Sequence, residues 1–411
     1  MTAKRLASSA SVEIGEKRRQ NGSRLKLSLF GRAAHSFRVL CGAPRFKAAH
    51  IIIRMRMKFQ FMILIAVMAC STISQGQKPR GHAFIRIWDR QVIESDGMYN
   101  STPAVARAEN GDWVLSYRKG VDHVNSPLVI LRRSHDHGRT WSPEVVYFNT
   151  SQPDPTLALT PDGTLLIEFV KLDPNGVAGA AYSLSQDSGL TWGPFQFFDD
   201  PASNTSAFPT AFMTVDRTMY GASYGPHSDG TDDAMLWDSE DSGLTWRKRS
   251  VIRQSGDAGI NETTIAQVGA NRFLAVSRDD DSTNTWVHFS EDAGMTWGNQ
   301  IDYTPQVGVL QLPQLIHAGR TLLLFGRQAD PVIYPHEFVM FTSLDNGKTF
   351  ANRRVLDTYT GEDIDGGYCW PILMDDGHIF VVYYADSNNL REPDIKSLVL
   401  GIEREDSGDA R

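Results

Sequence analysis

The chain has 411 residues, of which 41% are apolar and 22% charged, with a formal charge of −7. That balance excludes a disordered or fibrous chain and leaves enough residues for a large folded core. The charge is uneven: residues 1–56 hold 13 Lys/Arg against Glu13 and Glu16, a net of +11, so the remainder holds −18, an acidic body that argues against a nucleic-acid partner.

Residues 1–56 read as an over-extended or disordered N-terminal segment with no folded role. Residues 57–76 read as a signal peptide. Met57-Lys58 gives a short positive start, and the apolar run from Phe59 to about Ala69 is too short for a membrane span. A secreted or periplasmic location is therefore expected, with no membrane span in the mature domain. Val67-Met68-Ala69-Cys70 resembles a lipobox, which gives the alternative of a lipid anchor at Cys70. Beyond residue 70 the one cysteine is Cys369, so the mature domain has no internal disulfide and must be held by packing.

Residues 82–404 carry a repeat. FIRIWDR around Phe84 is a candidate strand. Next come five copies of Ser-x-Asp-x-Gly-x-Thr-aromatic, starting at Ser134, Ser185, Ser239, Ser290 and Ser343 with spacings of 51, 54, 51 and 53. The pattern suits a turn: the Asp carboxylate accepts backbone N–H bonds, Gly supplies a positive φ, and the aromatic opens the next strand and packs inward. Asp136, Asp187, Asp241, Asp292 and Asp345 are thus structural. Six strand–turn–strand segments run in step, with turns near Asn110, Asp162, Asp216, Asn271, Gly319 and Asp376. Such pairs read as β-hairpins. Six units of roughly 54 residues suit one four-stranded sheet each, which predicts an all-β, six-bladed β-propeller. The sixth unit lacks the Asp motif, and the strand near Phe84 would close the ring there. A β-solenoid is the structural alternative.

Equivalent positions of successive blades converge on the axis. The second strand ends on Arg118, Arg278 and Arg327 in units one, four and five, and near Val170, Tyr224 and Tyr384 in the others. The first strand begins near Asn100, Asp154, Glu262 and Tyr368 in units one, two, four and six, and Asp122 lies four residues after Arg118. Three arginines at one register predict a positive ring, since the guanidinium fork suits carboxylate or sulfate; separate salt bridges on the rim are the plain alternative. Carboxylates, arginines and a tyrosine on one rim are the inventory for cleaving an anionic sugar. Taken singly, Tyr368 would pack beside Trp370, Asp122 and Asp154 would fix turns, and Glu262 would cap a strand. No cofactor is expected, and no metal either, because His123 and His135 lack zinc-ligand spacing. Asp279, Asp280 and Asp281 read as an exposed acidic loop, and Cys369 as a buried thiol.

Five Asp boxes on six blades resemble the sialidase superfamily of BNR/Asp-box repeat proteins over about residues 82–404. YRKGVDHVNSPLVILRRSHDHGRTW is similar to the segment with an Arg, the acid/base Asp and the first Asp box. INETTIAQVGANRFLAVSR, LLLFGRQ and DGGYCWPILMDDGHIFVVYY are similar to those with the catalytic Glu, the clamp arginines and the nucleophilic Tyr. The resemblance implies that Tyr368 attacks the anomeric carbon, Glu262 takes its proton and Asp122 is the acid/base. It also implies that Arg278 and Arg327 grip the substrate carboxylate, with Arg118 beside Asp122; by their place at the same rim, Arg118, Asp154 and Asn100 are expected to contact the substrate. Where the family has Phe/Tyr-Arg-Ile-Pro, this chain reads Tyr99-Asn100-Ser101-Thr102-Pro103, without the arginine. The expected function is an exo-acting glycoside hydrolase on a terminal anionic sugar of a glycan or glycoconjugate. The alternatives are a related enzyme on uronic or sulfated sugars and a non-catalytic glycan-binding propeller.

Overall fold

The computed structural model describes residues 83–150, 153–172, 178–198, 210–226, 231–254, 256–328, 336–359, 366–386 and 392–404. The signal-peptide, lipobox and N-terminal readings lie outside these residues. Twenty-four strands form six four-stranded antiparallel sheets, and the one helical turn among the described residues is Thr304–Val307. No helix among them is long and apolar enough to cross a membrane.

Five sheets are built from consecutive strands, over 99–149, 156–197, 211–251, 260–302 and 310–359. The sixth takes three strands from 369–404 and its outermost from Ala83–Glu94, which pairs antiparallel with Asp394–Arg404. The strand around Phe84 thus closes the ring as a six-bladed β-propeller. The innermost strand of blade six, Cys369–Leu373, also contacts the innermost strand of blade one, Tyr99–Arg107.

Six apolar clusters hold this ring, one at each junction of neighbouring blades. Trp113 and Leu115 of blade one meet Phe380 and Val382 of blade six, and Leu274 and Val276 of blade four meet Leu322 and Leu324 of blade five. Each sheet is therefore packed on both faces. That is why Trp113–Gly120 is buried along its whole length instead of alternating. Among the described residues the one cysteine, Cys369, is free, so packing at six junctions holds the ring.

The five Asp boxes share one geometry. The Ser hydroxyl bonds the Asp carboxylate and accepts from the Gly N–H, while the Thr N–H and hydroxyl both donate to the Asp, as in Ser134, Asp136, Gly138 and Thr140. The hydrogen bonds from Thr140, Thr191 and Thr296 hold Asp136, Asp187 and Asp292 at about 2. Gly is in the left-handed region as expected, but so is the residue before it, whether His137, Ser188, Ser242, Ala293 or Asn346. The aromatic packs into a blade junction in each box, yet it does not open the next strand everywhere. In blades one, two and four a short irregular stretch intervenes before Val145, Gln196 and Ile301.

Candidate functional site

Antiparallel order divides the connections between two faces. The hairpin turns and Asp boxes lie on the lower face. The starts of the innermost strands and the ends of the second strands lie on the upper. At the upper face a cavity of about 420 Å³ is lined by Asp154, Tyr224, Glu262, Arg278, Arg327 and Tyr368, with His123, Trp370 and Tyr384 among its other walls.

At its centre the Tyr368 hydroxyl donates to Glu262 Oε1 at 2.6 Å. Glu262 is 5% exposed; its other oxygen accepts the Leu312 N–H at 2.8 Å, and Arg278 Nη1 lies 3.2 Å from Oε1. Arg278 and Arg327 also approach the Tyr368 hydroxyl at 3.4 and 3.5 Å, and the Arg327 guanidinium lies 4.6 Å over the Tyr368 ring. Burial and then the Glu262 charge push the Tyr368 phenol well above its ordinary value, while the two guanidinia pull it back. The phenol is therefore protonated near neutral pH, with a carboxylate placed to take the proton. Arg327 is fixed by the Gly366 carbonyl at 3.2 Å and by Gln311, and Arg278 by Ser282 at 3.0 Å.

Local backbone explains this convergence. The innermost strands of blades one, four and five slip register within Ser101/Ala104, Ile260/Thr263 and Gln311/Gln314. Such bulges re-aim side chains at a rim. Thr102, Asp154 and Leu312 each precede a proline and have φ of 46°, 39° and 39°. These are strained values for residues other than glycine.

The three arginines do not form one ring. Arg118 is 1% exposed and does not line the cavity. It pairs with Ser101, whose small hydroxyl accepts Arg118 Nε at 3.2 Å, and Nη1 reaches Asp154 at 3.0 Å. Asn100 is also turned away: it is fully buried, and its amide donates to Asp96 and the Met98 carbonyl. The substrate contact expected of Asn100 is therefore corrected; it holds the loop below the rim. Asp122 stands on the exposed loop after Arg118 and is not a cavity wall. Its carboxylate accepts from the Asn125 side chain and from the N–H groups of Asn125 and Val124, bonds that hold it below the usual carboxylate range.

Sequence reading missed His123, which bonds the Tyr99 hydroxyl at 2.9 Å, and the aromatic walls Tyr224, Trp370 and Tyr384. Tyr224 and Tyr384 occupy the same register as Arg278, and that register was the signal for them. It also missed Glu168, fully buried behind Thr156, whose hydroxyl bonds it at 2.9 Å; burial pushes its carboxyl well up.

Glu94, Asp96 and Glu144 approach one another as metal ligands would. The Lys119 ammonium already bridges Asp96 and Glu144, at 2.5 and 2.7 Å, and Arg132 meets Glu94 at 2.8 Å. The acidic run is less exposed than expected. Asp279 accepts from Asp281 and Thr283, Asp280 accepts the Asp232 N–H, and Asp281 alone is exposed. Cys369 is buried in the core.

Residues 148–381 match the family model described as a BNR repeat-like domain. Over 269 residues the chain is 26% identical to a curated sialidase of Micromonospora viridifaciens, covering 54% of this chain and 39% of that protein. The chain thus spans about two fifths of that relative's length. Among solved structures, a protein of unknown function from Dyadobacter fermentans superposes with a TM-score of 0.65 at 20% identity, over 78% of this chain and 99% of that one. The Hadza microbial sialidase Hz136 gives 0.57 at 18% identity, over 75% of this chain and 66% of that one. A mutant of Trypanosoma rangeli sialidase displaying trans-sialidase activity gives 0.53 at 13%, over 79% and 57%. At these identities the structural likeness concerns the fold.

Proposed function

The chain belongs to the BNR repeat-like domain family, as a sialidase-like BNR-repeat protein, and from that premise we propose that it is an exported, exo-acting glycoside hydrolase on a terminal anionic sugar. The observation that carries this reading is the Tyr368–Glu262 hydrogen bond of 2.6 Å between two cavity arginines. A sugar whose anomeric carbon bears a carboxylate repels an anionic nucleophile. A phenol that loses its proton only as it attacks avoids that clash, and Glu262 is positioned to receive the proton. Arg278 and Arg327 then grip the substrate anion. Arg118 fixes Asp154, whose exposed side offers acceptors to sugar hydroxyls. Asp122 is the proposed acid/base, reaching the leaving oxygen when substrate draws its loop inward from the bonds with Asn125.

The second reading keeps the reaction but takes a uronic or sulfated sugar. It is favoured by a cavity with two lining arginines and Asn100 in place of a third. A panel of fluorogenic sialosides, uronides and sulfated glycosides tests both. Turnover of one anionic class, abolished by Tyr368→Phe, supports the proposal. Asp122→Asn should depress hydrolysis of an alkyl glycoside far more than that of an aryl glycoside with a good leaving group, as loss of a general acid requires. Glycan binding without turnover of any member would replace both readings by a non-catalytic propeller.

A further inference from the structure

A second cleft, of about 410 Å³, opens on the lower face, opposite the cavity of Tyr368. It lies between the closing strand, the hairpin turn of blade six and the first Asp-box turn. One wall is Trp88, 52% exposed although it lies within a strand. Pairing of the closing strand slips between Ile87 and Asp89, and this bulge turns the indole outward. Arg86 lies 4.6 Å over the indole and the His378 ring meets it edge-on at 5.3 Å. Gly401 leaves room for its Nε1 edge, since a Cβ there would come within 2.1 Å of Trp88 Nε1. The indole is thus held in a fixed orientation with about half its surface open.

The rest of the cleft mixes an apolar floor of Met374, Phe380, Leu398 and Val399 with a polar rim. Asp375 and Asp376 are mostly exposed yet fixed from behind, the first by both Arg107 nitrogens and the second by the His378 N–H and ring at 3.0 Å. The exposed Arg139 stands on the opposite rim.

We infer that this cleft is a second carbohydrate-binding site, for a neutral hexose residue. A pyranose offers an apolar C–H face to stack on the side of the indole that Arg86 does not cover. Its vicinal hydroxyls can donate to fixed carboxylates and accept from a guanidinium. The cations argue against an anionic sugar because they are already engaged: Arg86 with Glu403, Arg107 with Asp375, and Arg90 with the Leu356 carbonyl at 2.5 Å. Placed on the opposite face, the site would hold the protein on a multivalent glycan surface between encounters with chain ends, by effective concentration.

The test uses the full chain with the methyl glycosides of galactose, glucose, mannose and N-acetylglucosamine, read by saturation-transfer NMR and calorimetry. At least one should bind at millimolar concentration. Trp88→Ala should weaken it by about tenfold or more, and binding should persist in Tyr368→Phe. Asp376→Asn, which leaves the closing strand intact, should weaken it as well while the melting temperature is unchanged. Failure of all four sugars to bind, equal binding by Trp88→Ala, or tighter binding of methyl glucuronide in the Tyr368→Phe background would overturn the inference.

Discussion

Replacing Glu262 by Gln removes the charge that faces Tyr368 and keeps the side chain's shape. The new carbonyl oxygen can still accept the Leu312 N–H, now made to Oε2 at 2.8 Å. The amide nitrogen would then point at the Tyr368 hydroxyl, 2.6 Å from the present Oε1, and at Arg278, 3.2 Å from it. The Tyr368 oxygen could then only accept from that amide, donor would face donor at Arg278, and nothing at that position could take the phenol proton. Loss of a positioned base costs about 10²–10⁴ in rate, or about 2.7–5.4 kcal/mol of barrier. The pH dependence should change too. The Glu262 charge raises the Tyr368 phenol, and the two arginines lower it, so the phenol of the variant titrates below that of the wild type. The variant needs the free phenolate, so its kcat should climb with pH through the alkaline range where the wild type is flat. The assay is a double-mutant cycle of Glu262→Gln and Tyr368→Phe on the substrate found in the panel. Groups that act as a unit are non-additive, so the double variant should lose no more than the worse single one. Multiplicative losses, or a Glu262→Gln enzyme within about threefold of wild type at neutral pH, would refute the pairing of base and nucleophile.

Other outcomes follow from the same geometry. Gly294 has φ 78°, and a Cβ there would come within 2.3 Å of Leu236 Cδ2, so Gly294→Ala should cost about 1–3 kcal/mol in denaturant unfolding. Asp136, Asp187 and Asp292 lie at about 2 in the folded chain, below the unfolded value of about 3.9. Their stabilisation is complete above that value and is lost as pH falls toward 2, so Asp292→Asn should flatten the fall of melting temperature across that window; an unchanged slope would count against the turn account. Glu168 behaves in the opposite sense: its raised carboxyl favours folding while neutral and loses that contribution as pH rises through the folded value. Glu168→Gln should therefore remove the loss that begins as pH rises above the unfolded carboxylate value of about 4.3, and so raise stability at neutral pH, as thermal melts at several pH values will read. Arg327→Lys loses the planar fork set by Gly366 and Gln311 and should raise KM for the anionic substrate by about tenfold, with a smaller effect on kcat.

The architecture was legible because its determinants are local and repeated. Each Asp box satisfies its own hydrogen bonds within a few residues, and each hairpin turn reports the register of its blade, so counting both gave six units and the closing strand. The site was legible only as far as register goes. Arg118, Arg278 and Arg327 end equivalent strands opposite equivalent bulges, but Arg118 finds Ser101 and Asp154 and is buried, whereas Arg278 is held by Glu262 and Arg327 by Gly366 and Gln311, and both reach Tyr368. Bulges and left-handed residues before proline, as at Thr102, Asp154 and Leu312, reverse where a side chain points without altering sequence spacing. Asn100 is turned away from the cavity, and Asp122 stands off it because its loop turns back on itself through Asn125. The Trp88 cleft was not legible, because an indole in a closing strand reads as core until the bulge beside it is known.

The central claim is that Tyr368 is the nucleophile. An activated fluorinated analogue of the sugar that the chain hydrolyses should form a slowly cleared covalent adduct, and peptide mass spectrometry should place it on Tyr368, with none formed by Tyr368→Phe. An adduct on another residue, or steady turnover of the analogue with no covalent species, would contradict the account.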